Sequence, residues 1–313
     1  MNTQETKCKN NNWLQLFVAL LVSSSNSAYA EESLDYIAEH LLEVPMDFRY
    51  SSLPQVPLDD KDPEWRVQGG LGSEAGGLMH ADVATLSLQY YQPINRDSGF
   101  TFSVFYDPFR ISGDNGPAVV EPSFATLTNS PQRINASVTS IEGNGFHVGV
   151  SGSYLFLRDN GASWQIGALL ETIKAQKFVI QFDSVGLASN YSGELNYTST
   201  YNALTPYVNY EFAPNNLAFG FVGNLKATFA WPLPRVGFKG SISGPGFELS
   251  GDTDKAGNGT HIPDIFFGLG YSIEHPSTGW RFDVGTLAYL YVVEPRAHDQ
   301  IDPPIFLSIA KAF

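Results

Sequence analysis

The sequence predicts an all-β fold, an antiparallel transmembrane β-barrel of about 10 strands (10–12), because its strands are long, alternate in polarity and are joined by connections of two lengths. Several segments alternate hydrophobic and polar residues over about ten to fifteen positions, as strands with one apolar and one polar face do. Strands of soluble domains average about five or six residues, whereas a tilted membrane-spanning strand needs about nine to eleven. Strand length therefore favours the membrane barrel over a secreted β-sandwich.

The composition excludes two other classes of protein. The chain has 313 residues, of which 43% are hydrophobic, 13% aromatic and 16% charged, and this combination is incompatible with general disorder. Its 32 acidic residues outnumber 18 basic ones, giving a net charge of −14. Phosphate would be repelled by such a surface, so a nucleic-acid partner is not expected.

The first thirty residues predict a cleaved secretory signal peptide, residues 1–30. Lys7 and Lys9 precede an apolar run at 13–22, and Ala28-Tyr29-Ala30 fits the small-residue cleavage site. A run of about ten apolar residues is too short to cross a ~30 Å hydrocarbon core, which disfavours a membrane anchor. Removal of the signal also removes Cys8, the only cysteine, so the exported chain would contain no disulfide.

Residues 31–63 predict an N-terminal helix followed by a Pro-rich linker. Leu34, Ile37 and Leu41 recur at helical spacing, and the short amphipathic periplasmic helix would end before Pro45. The segment either packs on the main domain, plugs the barrel mouth or docks a periplasmic partner.

The remainder, 64–313, predicts the barrel itself. Ten strands are expected near residues 65–75, 79–93, 99–111, 145–158, 162–174, 203–213, 216–231, 262–275, 279–294 and 304–313. Four further segments also alternate and are interpreted as strand extensions or loop hairpins, at 133–142, 177–186, 191–200 and 236–249. A pair of them inside the barrel would raise the strand number to twelve.

The connections fall into two length classes. Short ones are expected at 93–99, 158–162, 213–216 and 274–279, and long ones at roughly 112–144, 175–202, 233–260 and 295–303. Short periplasmic turns and long extracellular loops are typical of transmembrane barrels.

The last strand supports this interpretation through a resemblance. Ile305, Leu307, Ile309 and the terminal Phe313 place apolar residues at alternate positions, whereas Lys311 departs from the pattern. The strand resembles the assembly signal of Gram-negative outer-membrane β-barrel proteins. The resemblance implies location in the bacterial outer membrane, contact with outer-membrane lipid, and recognition by the barrel-assembly machinery through the C-terminal strand. The oligomeric state stays open.

No catalytic residue, metal site or cofactor is predicted. The six histidines form no close pair, and His275-Pro276-Ser277, the only His-x-Ser sequence, falls in a predicted turn. The size and layout also resemble the omptin proteases. Their paired Asp and Asp-x-His motifs are not matched, because His80-Ala81-Asp82 has the reverse order and Asp252-Thr253-Asp254 lies in a loop. Enzymatic activity is therefore not the favoured prediction.

The polar faces of the strands give candidate lumen-lining residues. The charged or titratable ones are Asp107, His147, Glu171, Glu211, Lys226, Asp264, Arg281 and Asp283. Five of them are acids against two Lys or Arg, so an open lumen would favour cations and the chain would be a small-solute or ion channel. In the alternative the charges pair across a narrow filled lumen. The extracellular loops of such a closed barrel would bind a ligand or partner, or carry omptin-like protease activity.

Overall fold

The computed structural model describes residues 32–33, 62–76, 79–113, 116–120, 134–157, 162–184, 192–244, 247–253, 265–290 and 305–313. Its strands are β1 (Glu32–Ser33), β2 (Glu64–Gly76), β3 (Met79–Asn95), β4 (Ser98–Gly113), β5 (Gly116–Val120), β6 (Ile134–Leu157), β7 (Ser163–Ser184), β8 (Ser192–Asn216), β9 (Val222–Ala230), β10 (Leu233–Gly244), β11 (Phe247–Thr253), β12 (Ile265–His275), β13 (Trp280–Leu290) and β14 (Ile305–Ala312). Among the described residues no helix is long and apolar enough to cross a membrane.

Ten of these strands close into one antiparallel barrel, which confirms the predicted fold. The order is β2-β3-β4-β6-β7-β8-β9-β12-β13-β14, and β14 pairs in turn with β2. Every neighbouring pair in this ring is antiparallel. Closure leaves the ring without an unpaired strand edge.

The barrel is apolar outside, and its interior is polar toward the end with the short connections and lined by buried apolar side chains, such as Phe109 and Ile111, toward the other end. On β4, for example, Phe102 and Val104 are 55% and 50% exposed on the outer face, while Thr101 and Ser103 are buried. An apolar belt of this kind faces hydrocarbon favourably, because lipid cannot hydrogen-bond to polar side chains.

Three strands extend far beyond the membrane belt. β6, β7 and β8 contain 24, 22 and 25 residues, about twice the length needed to cross a bilayer. The described parts of the predicted segments 133–142, 177–186 and 191–200 belong to these extensions, and those of the fourth lie in β10 and β11, beside β8. The barrel therefore has ten strands rather than twelve.

The prediction of one strand over 216–231 is wrong at its start. β8 continues to Asn216, a short 3-10 turn follows at Ala218–Gly220, and β9 begins at Val222. The turn needs left-handed backbone at Phe219 (φ 59°) and Gly220 (φ 80°), and this reversal interrupts the ladder even though the apolar alternation runs through it.

The predicted signal peptide and almost all of the N-terminal segment lie outside the described residues. Glu32 and Ser33 are the exception. They are extended, pair in parallel with Ala118 and Val119 of β5, and so are not part of a helix. Leu34, Ile37 and Leu41, on which the predicted helix rests, lie outside the described residues.

Candidate functional site

The candidate site is the polar interior of the barrel. The end of the barrel with the short connections at Asn95–Ser98 and His275–Trp280 is called the turn end, and the opposite end is called the loop end. Three groups of buried side chains occupy the interior between these ends. They are called the Arg281 cluster, the Gln165 chain and the His147 cluster.

The Arg281 cluster lies next to the turn end. The Arg281 guanidinium is 1% exposed and contacts three carboxylates: Glu211 through Nη1 at 2.9 Å, Asp283 through Nε at 2.8 Å, and Glu274 through Nη1 at 3.4 Å. Glu274 lies directly opposite Arg281 in the β12–β13 register, and Asp283 is two positions further on the same strand. Glu211 reaches the cluster from β8.

Two more cations lie in this part of the interior. Lys226, 5% exposed, is opposite Glu211 in the β8–β9 register. Arg66 of β2 is 2% exposed and contacts Glu64 at 2.8 Å. Burial of unpaired charge costs several kcal/mol for each ion, so carboxylate partners are needed wherever these cations leave water. These ion pairs lie in the part of the interior beside the turn end.

The Gln165 chain runs from strand to strand along the inner face of the barrel and consists of uncharged groups. Gln165 Nε2 donates to Thr101 Oγ1 at 2.8 Å and to Ser153 Oγ at 2.9 Å. Asn209 Nδ2 donates to Gln165 Oε1 at 2.9 Å, and Thr228 Oγ1 donates to Asn209 Oδ1 at 2.8 Å. These groups come from five strands, β4, β6, β7, β8 and β9, so the chain holds their inner faces in a fixed register.

The His147 cluster lies further from the turns. His147 is fully buried, with Nε2 2.9 Å from Glu171 Oε2 and Nδ1 3.2 Å from Asp107 Oδ2. Thr205 Oγ1 donates to Glu171, and the Phe105 ring meets the imidazole edge-on at 4.7 Å between ring centroids. Each ring nitrogen of His147 therefore faces a carboxylate oxygen, Nε2 within hydrogen-bond distance of Glu171 and Nδ1 in an ion-pair contact with Asp107.

The structure thus brings the sequence-predicted residues into two groups. Asp107, His147 and Glu171 form the His147 cluster, and Glu211, Lys226, Arg281 and Asp283 lie in or beside the Arg281 cluster. Asp264 lies outside the described residues.

Glu64, Arg66 and Glu274 also face the interior but are not among the residues predicted from the sequence. The first two alternate with Trp65 and Val67 at the start of β2, and that alternation was the signal that could have found them. With these three included, the described interior holds more carboxylates than Lys or Arg. The acids are Glu64, Asp107, Glu171, Glu211, Glu274 and Asp283, and the bases are Arg66, Lys226 and Arg281.

No group of three or more His, Cys, Asp or Glu within the described residues could hold a metal ion. The His80–Asp82 pair lies on the exposed outer face, with His80 Nε2 3.2 Å from Asp82 Oδ1 and Ser73 Oγ 3.1 Å from the same oxygen. His80 Nε2 also lies 3.4 Å from Ser73 Oγ. One ring nitrogen faces both partners, so the separate base and orienting contacts of a catalytic triad are not formed. His275 contacts Ser277 in an exposed turn. The side chains of the Asp252-Thr253-Asp254 sequence lie outside the described set.

The C-terminal residue lies at the barrel seam. The Phe313 amide donates to the Trp65 carbonyl at 2.8 Å, and the Phe313 ring is 75% exposed on the outer face. Lys311, which departs from the apolar pattern, donates through Nζ to the Thr278 carbonyl at 2.5 Å and lies over the rings of Trp280 and Phe313. The amine is therefore accommodated beside the turn.

No protein-family model and no curated protein matches the sequence. Three solved structures are similar in fold. The monoaromatic hydrocarbon channel CymD is 10% identical, with 80% of this chain and 87% of that chain covered and a TM-score of 0.36. The toluene transporter TbuX of Ralstonia pickettii is 7% identical, with 80% and 88% covered and a TM-score of 0.39. The outer membrane protease OmpT of Escherichia coli is 6% identical, with 82% and 97% covered and a TM-score of 0.38.

These sequence identities and TM-scores are too low to indicate an activity for this chain. The closed sheet, the apolar outer belt and the polar interior are properties of this chain itself. The chain is a ten-stranded transmembrane β-barrel of the outer-membrane type.

Proposed function

We propose that the protein is a small-solute or ion channel of the bacterial outer membrane that favours cations and is closed in the conformation described. The main support is the interior, where buried carboxylates outnumber Lys and Arg and form the Arg281 and His147 clusters. Rings and clusters of acidic side chains favour cations over anions in a pore.

The closure is made by side chains. Arg281, Glu211 and Glu274 reach across the interior on flexible stems, and the backbone behind them forms the wall of the barrel. Opening a path requires exchange of these ion-pair partners and movement of the buried apolar side chains nearer the loop end, such as Phe109 and Ile111, whereas the hydrogen-bonded ladder of the sheet can stay intact. A rotamer change of this kind is far less costly than breaking strand pairs.

Location and partners belong to the same proposal. The apolar belt would lie in outer-membrane lipid, with the turn end on the periplasmic side and the long extensions outside the cell. Phe313 at the seam would be presented to the barrel-assembly machinery during insertion. The predicted signal peptide at residues 1–30 would direct export.

The test is single-channel conductance of the refolded protein in a planar bilayer under a salt gradient. We compare the wild type with the Glu211→Gln/Arg281→Gln double variant, which removes the central ion pair without changing net charge. Longer or larger openings in the double variant, with a reversal potential of cation-selective sign, are expected. Arg96→Gln, an exposed change at the turn end, is the matched control and should behave as wild type.

A second candidate function follows from the strand extensions. β6, β7 and β8 project well beyond the belt together with the β10–β11 hairpin, and such a surface can bind a ligand or partner, or carry a protease site, on a permanently closed barrel. If wild type and double variant both insert, remain folded and stay silent, the channel proposal fails. Peptide cleavage and ligand binding by the loop end are then the assays of choice.

A further inference from the structure

A groove of about 990 Å³ lies in the outer wall of the barrel, and Phe105 and Glu171 of the His147 cluster also contribute to its lining. Its centre is a continuous row of five exposed aliphatic side chains, one from each of five neighbouring strands. In register order they are Val104, Val150, Leu170, Leu204 and Leu233. At about 4.8 Å between strands this row is about 19 Å long.

The groove has a polar edge on its loop side. Thr172 and Asn202 line it there, directly opposite each other in the β7–β8 register, and Thr172 Oγ1 donates to Asn202 Oδ1 at 2.8 Å. This bond uses the Asn202 carbonyl oxygen, so the amide NH2 keeps its hydrogens for another acceptor. Lys174 is the next outward-facing residue of β7, about 6.6 Å beyond Thr172, and is exposed.

The charges around Lys174 leave its ammonium available. It forms no ion pair with any side chain in the described part of the structure. Glu142, an exposed acid on the neighbouring strand, is four positions from Phe146, the register partner of Lys174, or about 13 Å along β6. Arg110, an exposed cation on β4, lies directly opposite Asp82 in the β3–β4 register.

We infer that this groove binds an anionic membrane lipid, with its acyl chains packed against the aliphatic row and the phosphate against Lys174 and the Asn202 amide. The aliphatic row matches the acyl chains of such a molecule, and the hydrogen-bond donors on the loop side of the row match its phosphate. The polar edge lies where the apolar belt ends, which is the depth of a lipid headgroup. This site goes beyond the proposed channel, because it lies on the opposite face of the wall.

The test measures lipid retention by the purified full-length protein using native mass spectrometry. Dimyristoyl phosphatidylglycerol is the anionic probe, and dimyristoyl phosphatidylcholine, with the same chains, is the neutral one. One lysine near a headgroup contributes enough to change affinity about fivefold. We expect phosphatidylglycerol to bind about fivefold more tightly than phosphatidylcholine, and Lys174→Gln to remove that preference. Arg96→Gln removes an equal charge at the far end of the barrel and should leave it unchanged.

A second pair of variants tests the groove itself. Val150→Phe places a larger side chain within the aliphatic row and should weaken binding of both lipids, whereas Ile166→Phe places the same ring on the outer face elsewhere on β7 and should not. All four changes lie on exposed side chains and should preserve the heat-modifiable gel migration of a folded barrel. Equal binding of the two lipids by wild type, equal effects of Lys174→Gln and Arg96→Gln, or unchanged binding by Val150→Phe would each overturn the inference.

Discussion

Arg281 Nη1 donates to Glu211 Oε1 at 2.9 Å, joining β13 to β8 across the interior although the two residues are 70 positions apart. Neither residue is more than 8% exposed in its side chain. The contact therefore joins two strands that are separated in the ring by β9 and β12, through a pair of buried charges.

Arg281→Gln should lower the free energy of unfolding by about 3–5 kcal/mol, because Glu211, Glu274 and Asp283 would lose their shared cation while staying buried. Adding Glu211→Gln should recover part of this loss. Urea titration of the refolded protein, followed by tryptophan fluorescence, measures the free energy of unfolding of the single and the double variant. Strictly additive effects of the two substitutions would show that the pair is not coupled.

His147→Leu should destabilise the barrel by about 3 kcal/mol. Asp107 and Glu171 would then lose the imidazole that separates them, and an uncompensated buried charge is costly. The matched control is His80→Leu, since His80 lies on the exposed outer face and its replacement should change stability by less than about 0.5 kcal/mol. Equal urea midpoints for the two variants would contradict the role given to the His147 cluster.

Gly279→Ala should cost about 1–2 kcal/mol. Gly279 has φ 69°, and a Cβ atom there would lie 2.8 Å from the Ala312 carbonyl oxygen of the neighbouring strand. Gly152→Ala is the control, because its Cβ would make an ordinary contact at 3.7 Å with the Phe102 ring. The same urea titration compares them, and a Gly279→Ala variant as stable as Gly152→Ala would show that the turn tolerates a side chain.

Phe313→Ser should reduce the amount of protein in the outer membrane several-fold while leaving the stability of the refolded protein almost unchanged. The exposed ring contributes only its contact with Lys311 to the folded barrel, worth about 0.5–1 kcal/mol. Immunoblots of membrane fractions and urea titration separate the two effects. Phe219→Ser, which changes a ring 90% exposed at the same end of the barrel, is the control. Normal membrane levels of Phe313→Ser would contradict an assembly role for this residue.

The strands were predictable because period-two alternation is a local property. Phe100, Phe102 and Val104 alternate with Thr101 and Ser103 in the sequence, and the barrel only has to turn one set outward. The same rule placed Asp107 and Glu171 on the inner face. It failed at Phe219, because nothing in the alternation reports a reversal of backbone direction.

The clusters themselves could not be predicted. Whether Arg281 meets Glu211 depends on barrel curvature and on strand stagger, which are set only when all ten strands pair. The length of the extensions depends likewise on pairing between β6, β7 and β8, since the alternation within residues 175–202 fits strand extensions and loop hairpins equally well.

The pairing of β14 with β2 means that the wall cannot be completed until the end of the chain is present. Gln68 and Ser308, which share a hydrogen bond at this seam, are separated by 240 positions. A polypeptide truncated before residue 305 would keep nine strands and leave two long rows of unpaired amides and carbonyls, the template on which β-rich chains aggregate. The last nine residues thus decide between a sealed cylinder and an open, self-associating sheet.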